Sequence, residues 1–384
     1  MNKTFLQLIY LVDRVLKNET GELNKELFTD LQDIEMWKQL YNLAVAQEVQ
    51  VFLYESVKEF DIPKEARDKL YSAYNRAVRK EAVMHLEVER YFEELEKANI
   101  TYLPIKGWKF KHLYRKPYLR TMTDVDVIIR EDGFEKACLI AKECGFELDN
   151  EGINHHVFVK KPITELEVHH RLFADTSVFH QWGTDILEKN GDFTISDEDA
   201  YVYLIAHMAK HFTSDGAGMR NMIDGYLYNK HYAFNESQSE YIKKTLRELK
   251  LDIFEARIRH LCEVWFDGAE YDENSLELTE YVMDGGLYGK AGNRASLVIG
   301  NNDTGKIRWF LGELFPSFER TKQSLKYKRM YKILTPVYWI IRIFKGVGKK
   351  GVVSSRTVVM TKNEEDFDRS RKILDYVGLE AIKY

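Results

Sequence analysis

The sequence predicts an α+β protein with one small mixed β-sheet core, flanked by N-terminal and C-terminal helical regions. Three observations carry this. Apolar residues recur at helical spacing along most of the 384 residues. Prolines number 6, few enough to leave long helices unbroken. Between Ile100 and His169 the pattern changes to short, β-branched apolar runs. The expected organisation is an N-terminal helical region over 1–97, an α/β core over 98–190, a C-terminal helical region over 191–345 and a tail with a terminal helix over 346–384.

In the first region, Phe5, Leu6, Ile9, Leu11, Val15 and Leu16 share a helical stripe, as do Trp37, Leu40, Tyr41, Leu43 and Ala44, followed by Val51 to Tyr54. Pro63 opens a helix that should run from Lys64 to about Lys97, as a cap packed on the rest. The core begins with the apolar run Ile100 to Ile105, which ends at Lys106-Gly107. Trp108 to Tyr114 suits a short helix broken by Pro117. Thr123 to Ile129 reads as a strand ending in the charges of Arg130, Glu131 and Asp132. Phe134 to Cys144 is amphipathic, with Gly145 as its C-terminal cap. His155–Lys160 and Thr164–His169 form a hairpin around Lys161-Pro162. Helical spacing then resumes over Asp199–Phe212, Arg220–His231, Glu240–Phe266 and Asn363–Leu379.

Composition narrows the class. The net charge of -5 argues against a general polyanion binder, so nucleic acid is not the expected partner. One segment runs against the overall balance. Residues 320–350 carry Arg320, Lys322, Lys326, Lys328, Arg329, Lys332, Arg342, Lys345, Lys349 and Lys350, with interleaved aromatics and no acid. It reads as a solvated helix or as contact with an anionic partner. The 3 cysteines show neither ligand-like nor disulfide-like spacing, and no signal peptide is seen, so a reducing cytoplasmic location is expected. No apolar run approaches the ~20 residues that span a bilayer.

The chemistry centres on Asp124 and Asp126. Side chains alternate along a strand, so both acids point one way while Val125, Val127 and Ile129 point into a core. Two carboxylates so close repel each other unless a cation shares them. On the hairpin strand, Glu165, Glu167 and His169 share one face. If that strand lies beside the Asp-Val-Asp strand, Glu167 completes a three-acid cluster, with Glu165 as the alternative third acid. Three such carboxylates suit two Mg²⁺ ions ~4 Å apart, the arrangement used in phosphoryl chemistry, with Glu167 as candidate base. Mn²⁺ would be a substitute. Lys106 and Gly107 sit at a strand-to-helix turn where backbone can approach a phosphate, and Lys106 and Arg120 are candidate phosphate partners.

His207 and His211 are four apart, a zinc-capable spacing, but Met208 stands where a His-Glu-x-x-His motif needs Glu. A structural role or a cleft wall is expected. Arg220 and Asp224 are also four apart and suit an intrahelical pair. His155 and His156 straddle a strand and are read as bystanders, and His169 as a residue that orients a carboxylate.

Lys106-Gly107, Leu113-Tyr114, Pro117, Arg120, Asp124-Val-Asp126 and Leu166-Glu-Val-His169, in this order, resemble a bacterial family of uncharacterised nucleotidyltransferases. That family lies in the DNA polymerase β-like superfamily. The resemblance implies Mg²⁺-dependent transfer of a nucleoside monophosphate from an NTP, ATP among them, to a hydroxyl acceptor, with pyrophosphate leaving. It matches Asp124 and Asp126 to the metal pair, Glu167 to the third acid and Gly107 to the turn glycine. Trp108 follows that glycine where the superfamily carries serine. Weaker matches, Trp37 to Ala44, His207 to His211 with Arg220 and Asp224, and Phe315 to Arg342, extend over most of the chain and turn Arg220 towards a nucleotide cleft. A sugar, a metabolite or a protein hydroxyl is the implied acceptor. The alternative is an inert nucleotide-binding or interaction module of the same fold.

Overall fold

The computed structural model describes residues 1–285 apart from 153, 176, 190–192 and 215, together with 315, 335–340 and 364–379. The first two helices start where short polar side chains satisfy their first amides. Asn2 accepts from the Thr4 N–H at 2.9 Å at the head of α1 (Lys3–Lys17). Asp33 accepts from Glu35 and Met36 at the head of α2 (Ile34–Ala46). After α3 (Gln50–Val57), Pro63 precedes α4 (Lys64–Lys97), whose 34 residues extend ~50 Å at 1.5 Å per residue.

The sheet follows. Its strands are β1 (Tyr102–Pro104), β2 (Val125–Ile129), β3 (Glu147–Glu151), β4 (His155–Lys160) and β5 (Thr164–His169). Their order is β1-β2-β5-β4-β3, with β2 and β5 parallel and the other pairs antiparallel. Between β1 and β2 lie the short helix α5 (Lys106–Phe110) and 3₁₀ turns at Lys111–Leu113 and Pro117–Leu119. Helix α6 (Phe134–Glu143) ends as expected, with Gly145 at φ +89°. The expected Trp108–Tyr114 helix is thus two shorter pieces beginning at Lys106. β3 is an addition to the sequence reading.

The second helical group comprises α7 (His180–Glu188), α8 (Asp197–Ser214), α9 (Met219–Tyr232), α10 (Glu236–Glu248), α11 (Asp252–Phe266) and α12 (Glu273–Gly285). The stretch read as helix over Glu240–Phe266 is two helices, separated where Lys250 takes φ +59°. The terminal helix, Glu364–Tyr376, lies on α12 through Arg369–Glu280 at 3.3 Å and Lys372–Glu277 at 2.7 Å. The basic segment 320–350 lies outside the described residues except for 335–340. Among the described residues no helix is long and apolar enough to cross a membrane.

Strand alternation gives the sheet two faces. Val125, Val127, Ile129, Leu166 and Val168 pack on the C-terminal half of α4 and on α6. Asp126, Glu167 and His169 occupy the opposite face, which borders a cleft also lined from α8 and α9. The N-terminal half of α4 belongs to a different core, shared with α1–α3 and the later helices. One helix therefore serves two cores.

Candidate active site

The site rests on one register. In the parallel pair β2/β5, Asp126 lies opposite Glu167 and Ile128 opposite His169. Both acids and the histidine project to the same side, because 126, 128, 167 and 169 share the alternation. Nε2 of His169 lies 2.9 Å from Oδ1 of Asp126 and 3.1 Å from Oε2 of Glu167. Two carboxylates thus converge on a single atom. Asp124 precedes the first residue of β2 and lines the same cleft of ≈ 590 Å³.

Charges around the acids are unequal. Burial alone would push the Asp126 carboxyl up, but the Lys106 ammonium and His169 outweigh it and hold that carboxyl below the usual range. Asp124 is shifted the other way, by burial and by repulsion from Asp126, against the pull of Lys106. For His169, burial favours the neutral ring, yet the bonds to Asp126 and Glu167 prevail and raise it. His155 is lowered, by burial first, with Glu167 opposing.

The donor set fits a hard divalent cation. Three carboxylates line one opening, and two of them already meet at a single polar atom. His155, Glu167 and His169 also offer ligand atoms that all lie within 4.8 Å of one another.

Lys106, Gly107, Arg120, Asp124, Asp126, Glu167 and Arg220, the seven residues placed in the site from the sequence, line this cleft, and the alternative acid Glu165 does not. Their partners differ from simple expectation. Lys106 hydrogen-bonds Asp126, and its backbone takes φ +48°. Arg120 is buried and makes two bonds to Asp224, Nε to Oδ1 at 2.9 Å and Nη2 to Oδ2 at 2.8 Å, while Tyr114 donates to the same Oδ1 at 2.7 Å. Arg220 does not pair with Asp224. Its Nη1 donates to Glu48 and to the Thr121 carbonyl, both at 2.8 Å. A Cβ on Gly107 would lie 2.6 Å from the Met122 sulfur and would strike Arg120, so bare backbone is needed there. Trp108 is buried, with its ring 5.7 Å from that of His85, and offers nothing to the cleft. His207 and His211 line the cleft wall with their Nε2 atoms 3.3 Å apart.

Several contributors escaped the sequence reading. His155, read as a bystander, lines the cleft: Nε2 lies 3.8 Å from Glu167 Oε1, because antiparallel pairing sets His155 opposite His169. His156 faces the other side, against Cys138 at 3.6 Å. Tyr203 lines the cleft with a buried hydroxyl that has no hydrogen-bond partner among the described residues. Glu48 holds Arg220. Register would have exposed His155, since it pairs directly with His169 at the open end of the hairpin. Nothing local marks Glu48.

A mixed sheet carrying paired acids on its cleft face, with helices on either side of it in sequence, is the arrangement the resemblance implies for a nucleotidyl-transferring protein. The chain belongs to the family described as uncharacterised nucleotidyltransferase, whose profile matches residues 34–267. No curated protein and no solved structure matches the chain. Membership supports nucleotidyl transfer as the general activity and an NTP as substrate.

Proposed function

We propose that the protein transfers an NMP group from an NTP to a hydroxyl acceptor, a small sugar, a metabolite or a protein side chain. The acceptor oxygen bonds to the α-phosphorus, the bond to the β-phosphate bridge breaks, and pyrophosphate leaves. The supporting observation is the register that sets Asp126 opposite Glu167 on the floor of an open cleft beside Asp124. Asp124, Asp126 and Glu167 would hold two divalent ions, Mg²⁺ or Mn²⁺, which when bound neutralise triphosphate charge and acidify the acceptor hydroxyl. Glu167 takes the acceptor proton. Lys106, Gly107, Arg120 and Arg220 line the same cleft and form the phosphate side. Asp126 holds Lys106 in place until substrate competes for it.

The test is incubation with labelled NTPs and a metabolite extract, read by mass spectrometry for an added NMP. The protein should make an adduct that Asp124→Asn/Asp126→Asn does not, and an adduct made equally by both would overturn the reading. The buried Trp108 after Gly107 favours a second reading, an inert nucleotide-binding module. That reading requires stabilisation by NTP in a thermal melt that Mg²⁺ leaves unchanged.

A further inference from the structure

We propose that His155, Glu167 and His169 form a nitrogen-bearing site that takes a zinc-class transition dication in preference to Mg²⁺. The inference rests on the reading above for Glu167 as a cation ligand, but its test needs no nucleotide. The three donors stand on two hydrogen-bonded strands. His155 lies opposite His169 in the β4/β5 register, and Glu167 is two residues from His169 on the same face. Their rings are 4.7 Å apart, and Glu167 reaches both, 3.8 Å to His155 and 3.1 Å to His169. All three ligand atoms fall within 4.8 Å. Donors bound at ~2.0–2.2 Å from a zinc-class ion stand at most ~4.2 Å apart, so a small swing of the partly exposed His155 closes the set.

The chemistry of the set decides the ion. Mg²⁺ takes oxygen donors and rigid octahedral geometry, whereas imidazole nitrogen suits zinc-class ions. Two histidines and one glutamate leave a fourth position open, as in catalytic rather than structural sites. All three donors line the cleft that also holds Asp126. Lys106 is held by Asp126, and a bound ion would release to solvent the proton that His169 Nε2 shares with Asp126 and Glu167.

Titration of the full chain with Co²⁺ reads the donors directly through the visible bands of a four- or five-coordinate ion. The expected result is a band that Zn²⁺ abolishes and that Mg²⁺ in ~100-fold excess leaves intact, following the ligand preferences of the two ions. Calorimetry should show that His155→Ala and His155→Phe each weaken Zn²⁺ binding at least ~10-fold, the scale on which loss of one donor acts. Absence of the band in the folded wild-type protein would overturn the proposal whether or not the variants fold. So would displacement by equimolar Mg²⁺, or loss of Zn²⁺ binding on His207→Ala but not on His155→Ala. Any of these outcomes alongside NMP transfer supported by Mg²⁺ would sink this site and leave the proposed reaction standing.

Discussion

Lys106 adopts a left-handed backbone conformation that costs a non-glycine residue on the order of 1–3 kcal/mol. It persists because the Asp126 side chain anchors its ammonium and the Asp126 carbonyl accepts from the Ile105 N–H at 3.1 Å. Gly107 is equally constrained, since any side chain there meets Arg120 and Met122. Gly107→Ala should destabilise the fold by about 1–3 kcal/mol in urea unfolding, the scale of overpacking. His169 yields a signed pH effect. Its folded pKa is raised above the unfolded value, so its contribution is fully present below ~6.5 and is lost as pH rises through the folded value. The stability gap between wild type and His169→Gln should therefore shrink from pH 6 to pH 9. A gap that widens would show that Asp126 and Glu167 do not raise the pKa of the ring. The acids themselves were legible at this scale, because strand alternation fixes which side chains share a face. The partners of Lys106 and Arg120 were not. A basic residue beside a turn glycine looks the same whether it meets a phosphate or a buried acid from elsewhere in the chain.

Among elements, the contact that matters most joins the segment before β2 to α9. Arg120 and Asp224 are both buried and make two parallel bonds, and Tyr114 adds a third to the same carboxylate. Asp224→Ala strands a guanidinium and a hydroxyl, and should cost about 3–5 kcal/mol in chemical denaturation. A loss below ~1 kcal/mol would mean that water reaches the pair. Glu48, just beyond α2, holds Arg220 at the cleft edge. On the proposed function, Glu48→Gln should raise the KM for NTP several-fold while kcat changes little, because it acts through Arg220. Equal losses in both would remove that role. The elements missed from the sequence were α7, α12 and β3. The β3 residues Glu147 to Glu151 are all exposed, so the strand carries no apolar alternation, and it lies at the sheet edge paired along its backbone to β4. β2 and β5 were readable because each buries one apolar face.

At the scale of the molecule, Gln47 ties regions remote in sequence. Its buried amide donates to the carbonyls of Val282 and Met283 and accepts from the Met219 N–H at 2.7 Å. Gln47→Ala should leave these groups unsatisfied, at about 1–3 kcal/mol each for those that water cannot reach, measured as a fall in melting temperature. The division between helical regions and sheet was plain from the change in periodicity. How they dock was not, because contacts across more than two hundred residues leave no local trace.

The long helix α4 has a further consequence. Met84, Val88, Tyr91, Phe92 and Leu95 roof the oily side of the sheet, although they precede it in sequence. A catalytic fragment cut at residue 98 would surface a bare hydrocarbon slab and precipitate, whereas one beginning near residue 80 would carry its own lid. The minimal reacting unit is thus set by where the roof starts, upstream of the first strand.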